Sequence, residues 1–258
     1  LRFQTFPVNR LTAYDLRWSR DQESVLQALT NALEGAPAAL GCKVAAGITS
    51  PAHGGSGQIE VQLLGQFYGS VADLLEILQP VYAIARPSRV VFLENLPYWD
   101  AQDKLSEAGL PEYFQERSRF FNDSVGSDAI DAVFTWLRRW PGTAAATSFK
   151  LFETGERVNA VAPSATAFVH RRSKWLASIG LVWEASTPAD AVRRNLDWQA
   201  NFYDAIVPLA RGGAYQNFID PSLRDWKNAY YGANLQRLEA IKKRVDPTNV
   251  FAFPEAVP

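Results

Sequence analysis

The 258-residue chain has no methionine, a single cysteine and only two histidines. One cysteine, Cys42, cannot close a disulfide within the chain. That excludes a small disulfide-stapled scaffold and leaves the compartment open. A surplus of either charge is also missing: 26 Lys and Arg stand against 27 Asp and Glu, a formal charge of −1. This balance removes the simplest electrostatic ground for binding nucleic acid or an anionic membrane surface, and neither is expected as a partner. No apolar run reaches the roughly 20 residues that a membrane-spanning helix needs. No metal site is expected. What remains is an ordinary globular composition, with enough length to bury a substantial core.

The first residues, Leu1-Arg2-Phe3-Gln4-Thr5-Phe6-Pro7-Val8, alternate like a strand and carry no signal-peptide pattern. The chain reads as a fragment or a cleaved chain from which targeting signals have been lost. Asn122-Asp123-Ser124 is a glycosylation sequon, which agrees with secretion without showing it.

Residues 3–8 and 11–18 are expected to be strands parted by a turn near Asn9-Arg10. Asp21 opens a helix with Val25, Leu29 and Leu33 on one face, ending near Gly35 and Pro37. Strands are expected at 40–49 and 58–67, with a glycine-bearing turn over 51–57 between them, and again at 89–93. Ser70-Val71-Ala72-Asp73 has the pattern of a capping box, with Asp in the place of Glu. The stretch 94–112 is expected to be irregular, and 113–121, 144–152, 158–168 and 175–183 to be strands. One helix starts at Ser127, with Ile130, Phe134 and Leu137 on its buried face. Another starts at Thr187-Pro188-Ala189-Asp190, with Val192, Leu196, Ala200 and Tyr203 as its stripe. Paired strands interrupted by single long helices predict an α+β fold: an antiparallel sheet with helices packed mainly on one face, plus a C-terminal helical tail. A boundary near Arg211-Gly212-Gly213 divides the chain into residues 1–210 and 211–258.

The tail runs Tyr230-Tyr231-Gly232-Ala233-Asn234, then Arg237-Leu238, Ile241-Lys242 and Asp246-Pro247-Thr248-Asn249-Val250-Phe251. Leu235, Leu238 and Ile241 share a helical face, and Lys242, Lys243 and Arg244 fall in the last turn, where a helix dipole favours cations. An amphipathic docked helix accounts for those residues, but not for Tyr231, Gly232 and Asn234 together at its start. In order and spacing the tail resembles the C-terminal signature of the berberine-bridge-enzyme-like flavin oxidoreductases. Tyr215-Gln216-Asn217-Phe218-Ile219-Asp220 resembles that family's Tyr-x-Asn-Tyr-x-Asp segment, and Phe168-Val169-His170-Arg171 its Phe-x-His-Arg strand. The ending Glu255-Ala256-Val257-Pro258 departs from the family's usual Gln-Ser-Ile type.

The resemblance implies that residues 1–210 are a substrate-binding domain and that 211–258 return to an FAD-binding domain. Most of the FAD is then held by an N-terminal region outside this chain, and the partners are that region and a small-molecule substrate. The chemistry implied is oxidation of an alcohol or amine carbon by hydride transfer to flavin, with the protein orienting substrate and removing a proton. This chain alone is expected to be inactive. The alternative is a degenerate relative that binds a ligand without turnover.

The same resemblance assigns candidate residues. Tyr215 is the catalytic candidate, a phenol able to bond a substrate hydroxyl or take its proton; otherwise it is a strand tyrosine at a domain seam. Asn217 orients substrate or is a turn residue. Phe218 stands where relatives have a second tyrosine, so one usual proton carrier is missing. Ser178 falls near a family Gln or Glu position and can only bind. On the strand through 146–152, Phe149 and Leu151 alternate with Ser148 and Lys150, and only one set can face the flavin. Phe149 and Leu151 are expected to face the substrate, which favours an aromatic or lipophilic one. Trp175 is expected to wall the pocket; a core position is the plainer reading. Tyr231 and Asn234 are expected at the flavin, or else as a packing ring and a helix cap. His170-Arg171 is expected to be structural.

Overall fold

The computed structural model describes residues 10–106 and 113–258. The expected strand 3–8 and most of the turn after it lie outside the described residues. In chain order the elements are β1 (Arg10–Trp18), α1 (Gln22–Leu33), β2 (Leu40–Thr49), β3 (Glu60–Phe67), α2 (Val71–Ile77), α3 (Gln79–Tyr82), β4 (Arg89–Pro97) and α4 (Tyr98–Leu105). There follow β5 (Tyr113–Phe121), α5 (Ser127–Arg138), β6 (Ala146–Glu153), α6 (Glu156–Asn159), β7 (Trp175–Trp183), α7 (Ala189–Ala210), α8 (Trp226–Tyr231) and α9 (Leu235–Val245). Among the described residues seven strands form one antiparallel sheet in the order β4-β1-β3-β2-β6-β7-β5. The α+β architecture is therefore as the alternation of strands and helices predicts.

Period-two alternation sorts each strand into two faces. One face carries Tyr14, Leu16 and Trp18 of β1, Val44, Ala46 and Ile48 of β2, Phe149 and Leu151 of β6, and Trp175, Ala177 and Ile179 of β7. These pack against Val25, Leu26, Leu29 and Leu33 of α1 and Ile130, Phe134 and Leu137 of α5. Among the described residues only α4 takes the other face, where Ala101 closes over Leu11 and Ala13 at the β1–β4 end, and no other described helix covers that face.

Local chemistry explains most element ends. Ser70 accepts from the Asp73 N–H at 3.2 Å while Asp73 accepts from the Ser70 N–H at 3.1 Å, so the capping box forms with a shorter acid. Two expectations fail. Residues 98–105, read as irregular, form α4, because Ala101 and Leu105 offer an apolar stripe to the sheet. The expected strand 158–168 is instead the short α6 and a series of turns, held by Arg171 through the carbonyls of Val158 and Phe168. The stripe of α7 is also shifted. Asn195, Trp198, Gln199, Phe202, Tyr203 and Ile206 are buried, whereas Val192, Leu196 and Ala200 are half-buried. The periodicity is hard to read because two of the buried positions are amides: Asn195 accepts from Trp140 Nε1 at 2.9 Å, and Gln199 donates to the Ile179 carbonyl at 2.8 Å.

Candidate functional site

The helix-free face presents polar side chains where its back presents Phe149 and Leu151. In the register of β5, β7 and β6, Glu116 pairs with Gly180 and Gly180 with Ser148; Ser118 pairs with Ser178 and Ser178 with Lys150. Lys150 Nζ donates to Glu116 Oε1 at 2.5 Å across β7. It can cross because Gly180 has no side chain. A Cβ there would lie 3.3 Å from Glu116 Oε1, 3.3 Å from Ser148 Oγ and 3.5 Å from Lys150 Nζ. The missing side chain thus leaves a dimple into which a carboxylate, a hydroxyl and an ammonium converge. Beside it the buried Ser178 Oγ has no hydrogen-bond partner among the described residues. A buried, unpaired hydroxyl costs on the order of 1–3 kcal/mol, which a bound polar group would relieve.

Residues 211–220 wrap the β5 edge and roof this end of the sheet. Gly212 N–H donates to Phe120 O at 2.9 Å, and Phe120 N–H to Gly213 O at 2.8 Å. Tyr215 then donates its N–H to Ser118 Oγ at 2.9 Å. Its half-buried ring sits edge-on to Phe120, Phe168 and Phe218, and Phe218 packs against Phe152 of β6. Exposed Asn217 donates from Nδ2 to Tyr215 Oη at 3.0 Å. Tyr215, Asn217, Phe218 and Ser178 are therefore gathered at one end of the open face.

Three other candidates are not. Phe149, Leu151 and Trp175 are at most 1% exposed and lie under the helices. Trp175 Nε1 donates to Glu34 Oε1 at 3.1 Å on that side. This corrects the expectation that they face a substrate: alternation in β6 turns Ser148 and Lys150 to the open face. Asn234 is corrected too. It is buried, and its Nδ2 donates to Pro163 O at 2.8 Å and Thr166 O at 3.1 Å, so it anchors the preceding turns rather than offering a free amide. Tyr231 is half-buried, with its Oη 3.5 Å from Glu255 O. Glu116 escaped the sequence reading; only the polar alternation Glu116, Ser118 against Arg117, Arg119 pointed to it.

His170 is 8% exposed and stacks on Phe120 at 4.1 Å between ring centroids. Burial lowers its imidazole to about 4. Burial raises the Tyr230 phenol, which accepts from the Asp220 N–H at 2.9 Å and donates to Glu255 Oε2 at 3.0 Å. Glu255 is itself raised by burial, and the Tyr230 bond opposes that rise.

The FAD implied by the resemblance can be tested against these residues. On the half-buried open face, Glu116, Ser148 and Lys150 offer hydrogen-bonding groups to a polar ring edge or substrate. The phosphates find no cradle in the glycine loop: the N–H groups of Gly54, Gly55 and Gly57 are all spent on carbonyls of residues 49–51. Among the described residues no group of three or more His, Cys, Asp or Glu could hold a metal. No described helix is long and apolar enough to cross a membrane.

Comparison with known proteins adds to this geometry. Residues 214–258 match the family described as berberine and berberine like. The FAD-linked oxidoreductase YgaK of Bacillus subtilis is 26% identical over 200 residues, covering 77% of this chain and 43% of that protein. The carbohydrate oxidase of Microdochium nivale is 34% identical over 104 residues, covering 39% of this chain and 21% of the oxidase. Among solved structures, Physcomitrella patens BBE-like 1 superposes with a TM-score of 0.77 at 25% identity, covering 96% of this chain and 54% of that one. The chain spans about half the length of the relatives it matches.

Proposed function

Because the chain is berberine-bridge-enzyme-like in its C-terminal segment and in its fold, we propose that it forms the substrate side of an FAD-linked oxidoreductase acting on an alcohol carbon of a hydroxyl-rich small molecule. The observation that carries this reading is the convergence of Glu116, Ser148 and Lys150 over Gly180 on the open sheet face. Bound FAD would take up the hydride leaving the alcohol carbon. The residues of this chain bind and orient. Lys150 and Ser148 donate to substrate hydroxyls, and Ser178 Oγ gains the partner it lacks. Tyr215 Oη, which accepts from Asn217, hydrogen-bonds the reacting hydroxyl in this proposal and takes its proton as the phenolate. Phe218 adds a dry wall and cannot carry a proton. The FAD phosphates and much of the ring are held by residues outside this chain, so the chain by itself is expected to be colourless and inactive.

The test is anaerobic reduction of the flavin in the full-length protein, followed by absorbance, with a panel of sugars, polyols and apolar aromatic alcohols. Bleaching by hydroxyl-rich compounds is expected. A flavin that stays oxidised with every compound favours the second reading, a ligand binder without turnover, which Phe218 in place of a second tyrosine supports.

A further inference from the structure

A second concave site lies away from the sheet dimple, between the β5 edge, the turns before β7 and the start of α8. It is a cleft of about 560 Å³, within the range of small-molecule sites. Arg119, Arg171, Arg172 and Arg211 all reach its lining, where Asp225 is the one carboxylate among the described residues. Arg171 is committed to Val158 O, Phe168 O and Thr166 Oγ1, and Asp225 to the Asn228 amide. Arg172 is exposed and has no partner among the described residues. Arg211 has a distant, solvent-exposed pairing with Asp123 at 3.7 Å. Such a pair contributes little and is readily exchanged for another anion.

Two buried polar atoms of residues lining this cleft have no partner among the described residues: Nε2 of His170 and Nε of Arg119. His170 is 8% exposed, so its ring nitrogen has no bulk water to turn to. Burial keeps the ring neutral at neutral pH, and its hydrogen bonds to the backbone of Tyr230 and Ala214 fix the ring at the back of the cleft. Gly212 and Gly213 let the backbone close behind these groups; a Cβ on Gly213 would lie 2.7 Å from His170 Cε1. Gathered guanidinium groups and unspent N–H donors are what an oxyanion with several acceptor oxygens satisfies.

We propose that this cleft binds a small molecule bearing a phosphate group, with Arg172 and Arg211 on the phosphate, Arg119 Nε as an inner donor and the neutral His170 ring as the back wall. Its volume exceeds that of a phosphate ion, which leaves room for the group the phosphate is attached to. The residues of the Gly180 dimple take no part in it, so the assignment stands independently of the oxidoreductase reading.

The experiment is equilibrium binding to the full-length protein, with any flavin it carries already in place, using glucose 6-phosphate, inorganic phosphate and glucose as probes. Saturable binding of glucose 6-phosphate, weakening as salt rises and not displaced by glucose, is expected. Phosphate binding as tightly as its ester would place the recognition in the phosphate alone; a tighter ester would show that the organic part is held as well. Arg172→Gln, at an exposed position, is expected to weaken binding about tenfold with an unchanged melting temperature. The proposal is overturned if neither phosphate compound binds saturably, or if Arg172→Gln and Arg211→Gln together leave the affinity unchanged.

Discussion

Arg117 on β5 meets Asp220 of the C-terminal segment at 2.7 Å, with the two side chains 8% and 2% exposed. The guanidinium also lies 3.9 Å from the centre of the Tyr203 ring of α7. The pair therefore ties residues 211–258 to both the sheet edge and the helical layer. Removing one partner leaves a buried charge uncompensated, whereas removing both does not. Asp220→Leu is expected to cost roughly 3–5 kcal/mol, and Arg117→Met with Asp220→Leu distinctly less. Urea unfolding of the three proteins checks the order. A double variant no more stable than the single one would contradict a coupled pair.

His170 makes stability depend on pH. Its folded value is lowered to about 4 by burial, whereas an unfolded imidazole titrates near about 6.5. Between those values the unfolded chain binds more protons, so stability falls as the pH drops through that window and this group adds no further loss below it. The full span is roughly 3 kcal/mol. His170→Gln should flatten the urea midpoint between about pH 6.5 and pH 4 relative to the unchanged protein. Parallel slopes in the two proteins would show that the ring is not held neutral.

Much of this architecture is legible in the sequence because burial writes a period into it. Val25, Leu29 and Leu33 mark α1, and Ile130, Phe134 and Leu137 mark α5, since each is apolar at helical spacing and each is buried. The stripe of α7 is not legible, because Asn195 and Gln199 are buried by virtue of partners on other elements, Trp140 and Ile179. The same limit applies to the site. Alternation along β6 separates Phe149 and Leu151 from Ser148 and Lys150, but nothing in that strand says which set the helices cover. Only the neighbouring strands decide it. The link between Glu116 and Lys150 is invisible for a related reason: the two are 34 positions apart and meet across Gly180.

The face assignment of β6 is open to a paired substitution. Lys150→Met removes an open-face donor and takes nothing from the helix-side core. It is expected to raise KM for a hydroxyl-rich substrate about tenfold and, because it leaves the mostly buried Glu116 without its cation, to cost about 1–3 kcal/mol, less than the core variant. Phe149→Ala empties core volume and should cost about 3–5 kcal/mol. Steady-state kinetics beside urea titrations separate the two. If Lys150→Met destabilises as much as Phe149→Ala, the sheet has been read with its faces exchanged.

The seam between the sheet edge and the C-terminal segment can be loosened at a single atom. Gly213 has its backbone between His170 and α8, and a Cβ there would fall 2.3 Å from Ala229 O and 2.7 Å from His170 Cε1. The nearer atom is backbone, which cannot rotate away, so Gly213→Ala must push residues 211–220 and α8 apart. The first bond to suffer is Ala214 N–H to Ala229 O, now 2.9 Å. A loss of about 1–3 kcal/mol is expected, as for other overpacked sites. Its distribution is the sharper test. Amide exchange at Ala214 should quicken far more than at Leu29, whose helix lies in the main core away from this seam. Equal acceleration at both would mean that the C-terminal segment and the main core open as one cooperative unit.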